Sequence, residues 1–128
     1  KQSFSIKYAI FKKGKVIIRK TLIEAREGKN DDIPVTARFH VTPDNKLYVI
    51  CSIRKNEKQY SANVENRILM LSPKGEIKAQ YTLNLKKPFT NFFTSTMRAG
   101  SPPSNYIDLY GNVAGHPLTI NYARIRLE

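Results

Sequence analysis

The chain has 128 residues, the size of one ordinary domain, and its 41% hydrophobic content supports a buried core and excludes a disordered chain. Lys and Arg number 22 against 10 Asp and Glu, so the net charge is +12 and the surface suits polyanions such as nucleic acid, anionic lipid or acidic polysaccharide. No apolar run reaches the roughly 18 residues of a spanning helix, and the single cysteine excludes an internal disulfide framework.

Strand periodicity runs through the chain, with no long helical window. Residues 3–11 (SFSIKYAIF) alternate and lead through Lys12-Lys13-Gly14-Lys15, a turn, into a return strand over 16–25 (VIIRKTLIEA). Residues 26–34 are polar with Gly and Pro, hence a loop. A strand over 36–42 meets the tight turn Pro43-Asp44-Asn45 and its partner strand over 46–53 (KLYVICSI). Cys51 sits in that apolar run and reads as a buried thiol. After a polar loop over 54–65, strands over 66–72 and 76–85 flank Pro73-Lys74-Gly75. Residues 86–91 form a loop, 92–99 a strand, 100–104 a turn, 106–110 a strand, 111–117 a loop and 118–127 the last strand.

A repeat underlies this pattern. Lys13-Gly14-Lys15-Val16 matches Lys74-Gly75-Glu76-Ile77, 61 positions on, and Thr21-Leu22 matches Thr82-Leu83 at the same spacing. Pro43 corresponds to Pro102, and the last strand (INYA) echoes the first (IKYA). A long period holding four strands is the mark of β-propeller blades. The expected fold is all-β: a partial β-propeller of about two blades plus shared strands, or else a β-sandwich of nine strands. In the propeller, 1–28 are the outer strands of one blade, 35–86 a complete blade, and 89–128 a closing blade without its outer strand. The chain then reads as a piece beginning in mid-blade, with open sheet edges.

Two stretches carry a family resemblance. Residues 37–50 (ARFHVTPDNKLYVI) with 66–70 (NRILM), and 92–110 with 120–127, resemble the repeats of the sialidase-like, BNR-repeat propellers of bacterial carbohydrate-active proteins. The Asp-box of such repeats, S-x-D-x-G-x-x-W, has only the degenerate counterpart Thr42-Pro43-Asp44-Asn45-Lys46, and the chain has no Trp. The resemblance implies an exported bacterial protein that binds or processes glycans. It carries over no catalytic residue.

Candidate site residues follow from chemistry. Arg38 and Arg98 fall on corresponding inner strands, where two guanidinium groups would clamp the carboxylate of an acidic sugar. His40 shares a strand face with Arg38, and with Tyr48 or Tyr60 it suits acid–base work on a uronic acid. Asp31-Asp32 is an adjacent acid pair; a glycosidase needs two opposed carboxyl groups, so one of them would need a partner such as Glu65. His116 reads as turn structure. Two widely spaced His and one Cys make no metal site, and no cofactor fingerprint occurs. In the basic N-terminal hairpin, Phe4, Tyr8 and Phe11 are interleaved with Lys, and Tyr8 and Phe11 read as packing residues rather than base-stacking ones.

The leading expectation is therefore a glycan ligand, acidic by preference, on a fragment completed by further blades or by self-association. The alternatives are a non-catalytic scaffold that binds a protein, and a polyanion-binding module. No membrane partner is expected, and nucleic acid is an unexpected one.

Overall fold

The computed structural model describes residues 3–26, 32–55, 63–95 and 100–128. Among them nine strands follow in chain order: β1 (Ser3–Lys12), β2 (Lys15–Arg26), β3 (Ile33–Val41), β4 (Leu47–Arg54), β5 (Val64–Leu71), β6 (Ile77–Thr82), β7 (Phe89–Thr94), β8 (Tyr106–Val113) and β9 (His116–Arg126). They build three antiparallel sheets, ordered β1-β2, β3-β4-β5-β6 and β7-β8-β9, none closed into a barrel. The protein is all-β, and this arrangement fits both a partial propeller and a layered sandwich.

The middle sheet is covered on both faces. Every residue of β4 between its two ends is buried, which is why its sequence is a continuous apolar run rather than an alternation. Side chains point to opposite faces in turn. Tyr48 and Ile50, with Ile68 of β5, pack against Phe89, Phe92, Ile107, Leu109 and Val113 of the third sheet. Val49, with Leu69 and Leu71, packs against Tyr8 and the partly buried Ile10, Leu22 and Ile23 of the first hairpin. Three sheets thus stack with β3–β6 in the centre.

Polar ties cross one of these layers. The side chain of Asn66 is buried and makes two hydrogen bonds to one residue of the next sheet: its Nδ2 donates to Phe89 O at 2.9 Å, and Phe89 N donates to its Oδ1 at 2.8 Å. Ser52 Oγ donates to Thr90 O at 3.1 Å. These bonds draw β7 onto the middle sheet from Phe89, three residues before the start that alternation predicts.

Other boundaries move for similar reasons. Strand β3 starts at Ile33, because Ile33 and Pro34 are buried, and a register shift after Pro34 accommodates its missing N–H. Strand β6 stops at Thr82, while Leu83 and Leu85 fold down against the core. Strand β8 continues through Gly111 to Val113, where a loop is expected. A Cβ at Gly111 would run into Asn91 O and lie 2.7 Å from Phe92 Cα, so only glycine lets β7 approach there. The expected loop shrinks to the turn Ala114-Gly115.

Two turns on one rim share a design that joins Thr42-Pro43-Asp44-Asn45-Lys46 to Ser72-Pro73-Lys74-Gly75-Glu76. Asn45 N donates to Thr42 O and Gly75 N to Ser72 O, each at 2.9 Å. Asn45 and Gly75 both take positive φ, 60° and 77°. The hydroxyl of Thr42 or Ser72 accepts the N–H four residues on, at 3.1 Å in both. This hydroxyl-Pro-x-Asn/Gly pattern, 30 residues apart, is a sharper repeat than the one read from composition.

Replacing Asn66 with Ala strands two buried main-chain groups of Phe89. Each costs about 1–3 kcal/mol when left unmade, so a loss of about 2–4 kcal/mol is expected in the urea midpoint at unchanged slope. A loss under about 0.5 kcal/mol would mean that the Asn66 bridge does not join the sheets.

Candidate functional site

The ends of β2, β4, β6 and β8 and the starts of β3, β5, β7 and β9 share one rim, and the opposite ends share the other. On the first rim lies a charged cluster. Arg67 faces the first hairpin beside Cys51, its cross-strand partner. Its Nη2 donates to Asp32 and its Nε to Glu65. Lys55 Nζ lies 3.5 Å from Asp32 and 3.0 Å from Glu65, and Thr82 Oγ1 donates to Glu65 at 3.1 Å. The structure thus brings Asp32 to Glu65, the carboxyl partner considered from sequence, but with two cations between them. Burial raises the Glu65 carboxyl, yet the hydrogen bonds from Arg67 and Lys55 outweigh it and hold it below its ordinary value. Burial likewise opposes the charge on Arg67, and Glu65 and Asp32 more than restore it. A general acid needs the reverse shift. The cluster is built to stay ionised and to tie the β4–β5 end to the start of β3.

Arg38 and His40 point toward the third sheet with Thr36, whose hydroxyl donates to Asn91 at 3.2 Å. Arg38 is partly engaged by the fold. Its guanidinium lies over the Phe93 ring, 5.3 Å from the centroid, and Nη1 donates to Ala37 O at 2.9 Å. His40 is buried opposite Tyr48, and its Nε2 is 2.6 Å from Ser104 O. A carbonyl can only accept, so this nitrogen carries the proton and is not available as a base. Ser104 N in turn donates to Val41 O at 3.2 Å, so His40 pins the segment before β8 to the end of β3. Asp31, Tyr60 and Arg98 lie outside the described residues. Among the described residues no three His, Cys, Asp or Glu gather as metal ligands, and no helix is long and apolar enough to cross a membrane.

Cys51 is fully buried, with Sγ 3.7 Å from Arg67 O, and burial pushes its thiol up to about 11. In the first hairpin Tyr8 packs as expected, edge-on to Phe39 at 5.9 Å. Phe11 departs from expectation and is 67% exposed, because it falls on the outer face of β1 beyond the last inward residue, Ile10. That outer face is basic, carrying Lys7 and Arg19, with Lys12, Lys13 and Lys15 at the tip.

The surface that stands out is one the candidate list missed. On the outer face of the third sheet, Phe93 of β7 pairs with Tyr110 of β8, and Tyr110 with Tyr122 of β9, giving an aromatic row across all three strands. Phe93 and Tyr110 stack at 5.7 Å with their planes 25° apart. Tyr106 lies under the Arg124 guanidinium at 5.6 Å. Asp108 receives bonds from Arg124 Nε at 2.7 Å and Tyr122 Oη at 2.6 Å, which hold its carboxyl below the ordinary range. Along the same face of β9, Leu118 is 99%, Ile120 77% and Tyr122 61% exposed. The signal was in the sequence as Tyr-x-Asp-x-Tyr over 106–110 and Ile-x-Tyr-x-Arg over 120–124, each at the two-residue strand period. Both faces of this sheet read as apolar, so the outward one had no mark of its own.

Two outcomes follow. Because the Glu65 carboxyl is lowered on folding, its contribution is complete above its ordinary value and is lost as pH falls through the lowered one. Glu65→Gln is therefore expected to flatten the fall in urea midpoint between about pH 5 and about pH 3; an identical acid limb would remove the cluster from the stability balance. In the native protein Cys51 is expected to react with an aromatic disulfide reagent no faster than the chain unfolds, whereas prompt labelling at about pH 8 would show an accessible thiolate.

Comparison with protein-family models, with curated proteins and with solved structures finds no match to this chain.

Proposed function

We propose that this chain is a non-catalytic β-sheet scaffold that binds a protein partner on the outer face of its third sheet. One observation carries the reading: the row Phe93–Tyr110–Tyr122, with Ile120 and Leu118 on one side and Tyr106 beyond the Asp108–Arg124 pair on the other, leaves large apolar side chains in solvent on one face. Exposed aromatic and aliphatic side chains grouped on one face are characteristic of protein interfaces, and Tyr and Arg are the residues enriched there. Arg38 and Arg126 at its margin favour a partner whose contact surface carries acidic groups beside apolar ones. The described site candidates support the same view, since Asp32, Arg38 and His40 are each engaged by other parts of the fold.

A second reading, an acidic glycan as ligand, draws on Arg38 alone. A guanidinium has five N–H donors, and one of them goes to Ala37 O. The rest suit a carboxylate. Against a neutral sugar stands the geometry of Phe93, whose ring is shared by Arg38 and Tyr110 and so offers less free face for stacking.

The test places a benzophenone amino acid at position 110 or 122, and as a control at position 21 on the outer face of the first hairpin. A single partner is expected to cross-link from 110 and 122 but not from 21. With the purified pair, Tyr110→Ser should weaken binding by about tenfold or more, as for an interface anchor. Equal adducts from all three positions would sink the reading. Binding of sialylated or uronic oligosaccharides that Arg38→Ala abolishes would replace it with the glycan one.

A further inference from the structure

We infer that the free edge of β9 accepts an extended segment of a partner protein as a fourth strand, and that this segment alternates apolar with acidic residues. The inference rests on the third sheet being the docking element.

The middle sheet has four strands and the third has three. The main chain shows which groups the missing neighbour leaves open. Leu127 N donates to Asn105 O at 2.7 Å, so the odd-numbered end of β9 turns its main chain to β8. The odd residues Ile125, Ala123 and Asn121 keep the same parity opposite Ile107, Leu109 and Gly111. The N–H and C=O groups of Ile120, Tyr122, Arg124 and Arg126 therefore face the open edge. An edge strand of this length is a template for pairing.

Below that edge the third sheet leaves part of the middle sheet uncovered. A groove of about 480 Å³ opens there, its walls including Met70, Tyr81, Leu83, Ile125 and Leu127. A new strand beside β9 would lie about 4.8 Å beyond it. Alternate side chains would then drop onto Met70, Tyr81 and Leu83, while the others rise beside Tyr122, Arg124 and Arg126. One set must be apolar, and the other meets positive charge.

Charge also selects the occupant. Arg126 and Lys46 line the groove, and Arg126 makes no ion pair among the described residues. A second copy would bring another chain of net charge +12 with its own arginines along the seam, which repels. Arg124 is already held by Asp108 and Lys46 by Asp44, and Glu128 also lines the groove, so the unpaired cation that an acidic residue of the added strand meets is Arg126; strand addition uses main-chain bonds for affinity and alternate pockets for selection.

The probe is the peptide acetyl-Glu-Val-Glu-Leu-Glu-Val-Glu-amide, titrated into the full chain. It is expected to slow amide exchange at Ile120, Tyr122 and Arg124 and to leave the odd-numbered amides, already in the ladder, unchanged. Methylating alternate peptide nitrogens, or replacing Glu with Lys, should each weaken binding at least tenfold. Tyr122→Pro removes an edge-facing N–H without removing a main-chain bond to β8, though it also loses the Oη bond to Asp108, and should do the same; if that variant does not fold, the methylated peptide on the native chain still decides. Equal affinity for the methylated peptide, or binding without protection of β9, overturns strand addition. Concentration-dependent dimerisation that protects β9 without peptide overturns the choice of occupant. If cross-linking from positions 110 and 122 still yields its partner while the peptide fails, the scaffold reading stands and only the strand addition falls. If both fail, both fall.

Discussion

The burial of β4 on both faces is the constraint from which the rest of the fold follows. A strand whose side chains are apolar in both directions cannot lie at a surface. The sheet that contains it needs a cover on each side. The first hairpin supplies one, through Tyr8, Leu22 and Ile23 against Val49, Leu69 and Leu71. The third sheet supplies the other, through Phe89, Phe92, Ile107 and Leu109 against Tyr48, Ile50 and Ile68. Apolar burial of this kind has no direction of its own. The orientation of the layers comes from the polar ties, above all the paired bonds between Asn66 and Phe89.

The same division of labour gives several polar side chains a part in joining the layers. Arg67, His40 and Asn66 each serve a segment that has no strand partner to satisfy it, or a join between sheets that apolar contact alone would leave free to slide. The ionised cluster of Asp32, Lys55, Glu65 and Arg67 holds one rim together. Each ion there has more than one partner, as a partly buried charge requires. Reactive acids and bases need the opposite: groups left short of partners, with shifted ionisation.

The stack is asymmetric at its two ends. The outer face of the first hairpin is mostly polar and basic, with Ser3, Ser5, Lys7, Arg19 and Thr21, and exposes Phe11 and Ile17 toward its tip. The outer face of the third sheet carries the aromatic row and exposed Leu118 and Ile120. One end is therefore the more polar, and the other resembles a layer awaiting a cover. The edge of β9 adds unpaired main-chain groups to the same region. The proposed docking face lies where the stacking rule that governs the centre is left unmet.

The sequence by itself determined the nine strands, most of their turns, the burial of Cys51 and the all-β class. Each of these is local: alternation, turn chemistry and a continuous apolar run are properties of neighbouring residues. The ends of β3, β6, β7 and β8 were not legible, because Ile33, Leu83, Phe89 and Gly111 take their places from contacts with other sheets. Nor could the sequence show that Asp32, Glu65 and Arg67 meet, or that Arg38 rests on Phe93 rather than facing a ligand. Those pairs lie 35 and 55 residues apart, and only packing brings them together. Alternation in β8 and β9 placed Tyr110 and Tyr122 on one face. Only the tertiary structure decided that this face is the outward one, because the inward face must match the residues of the middle sheet that it covers.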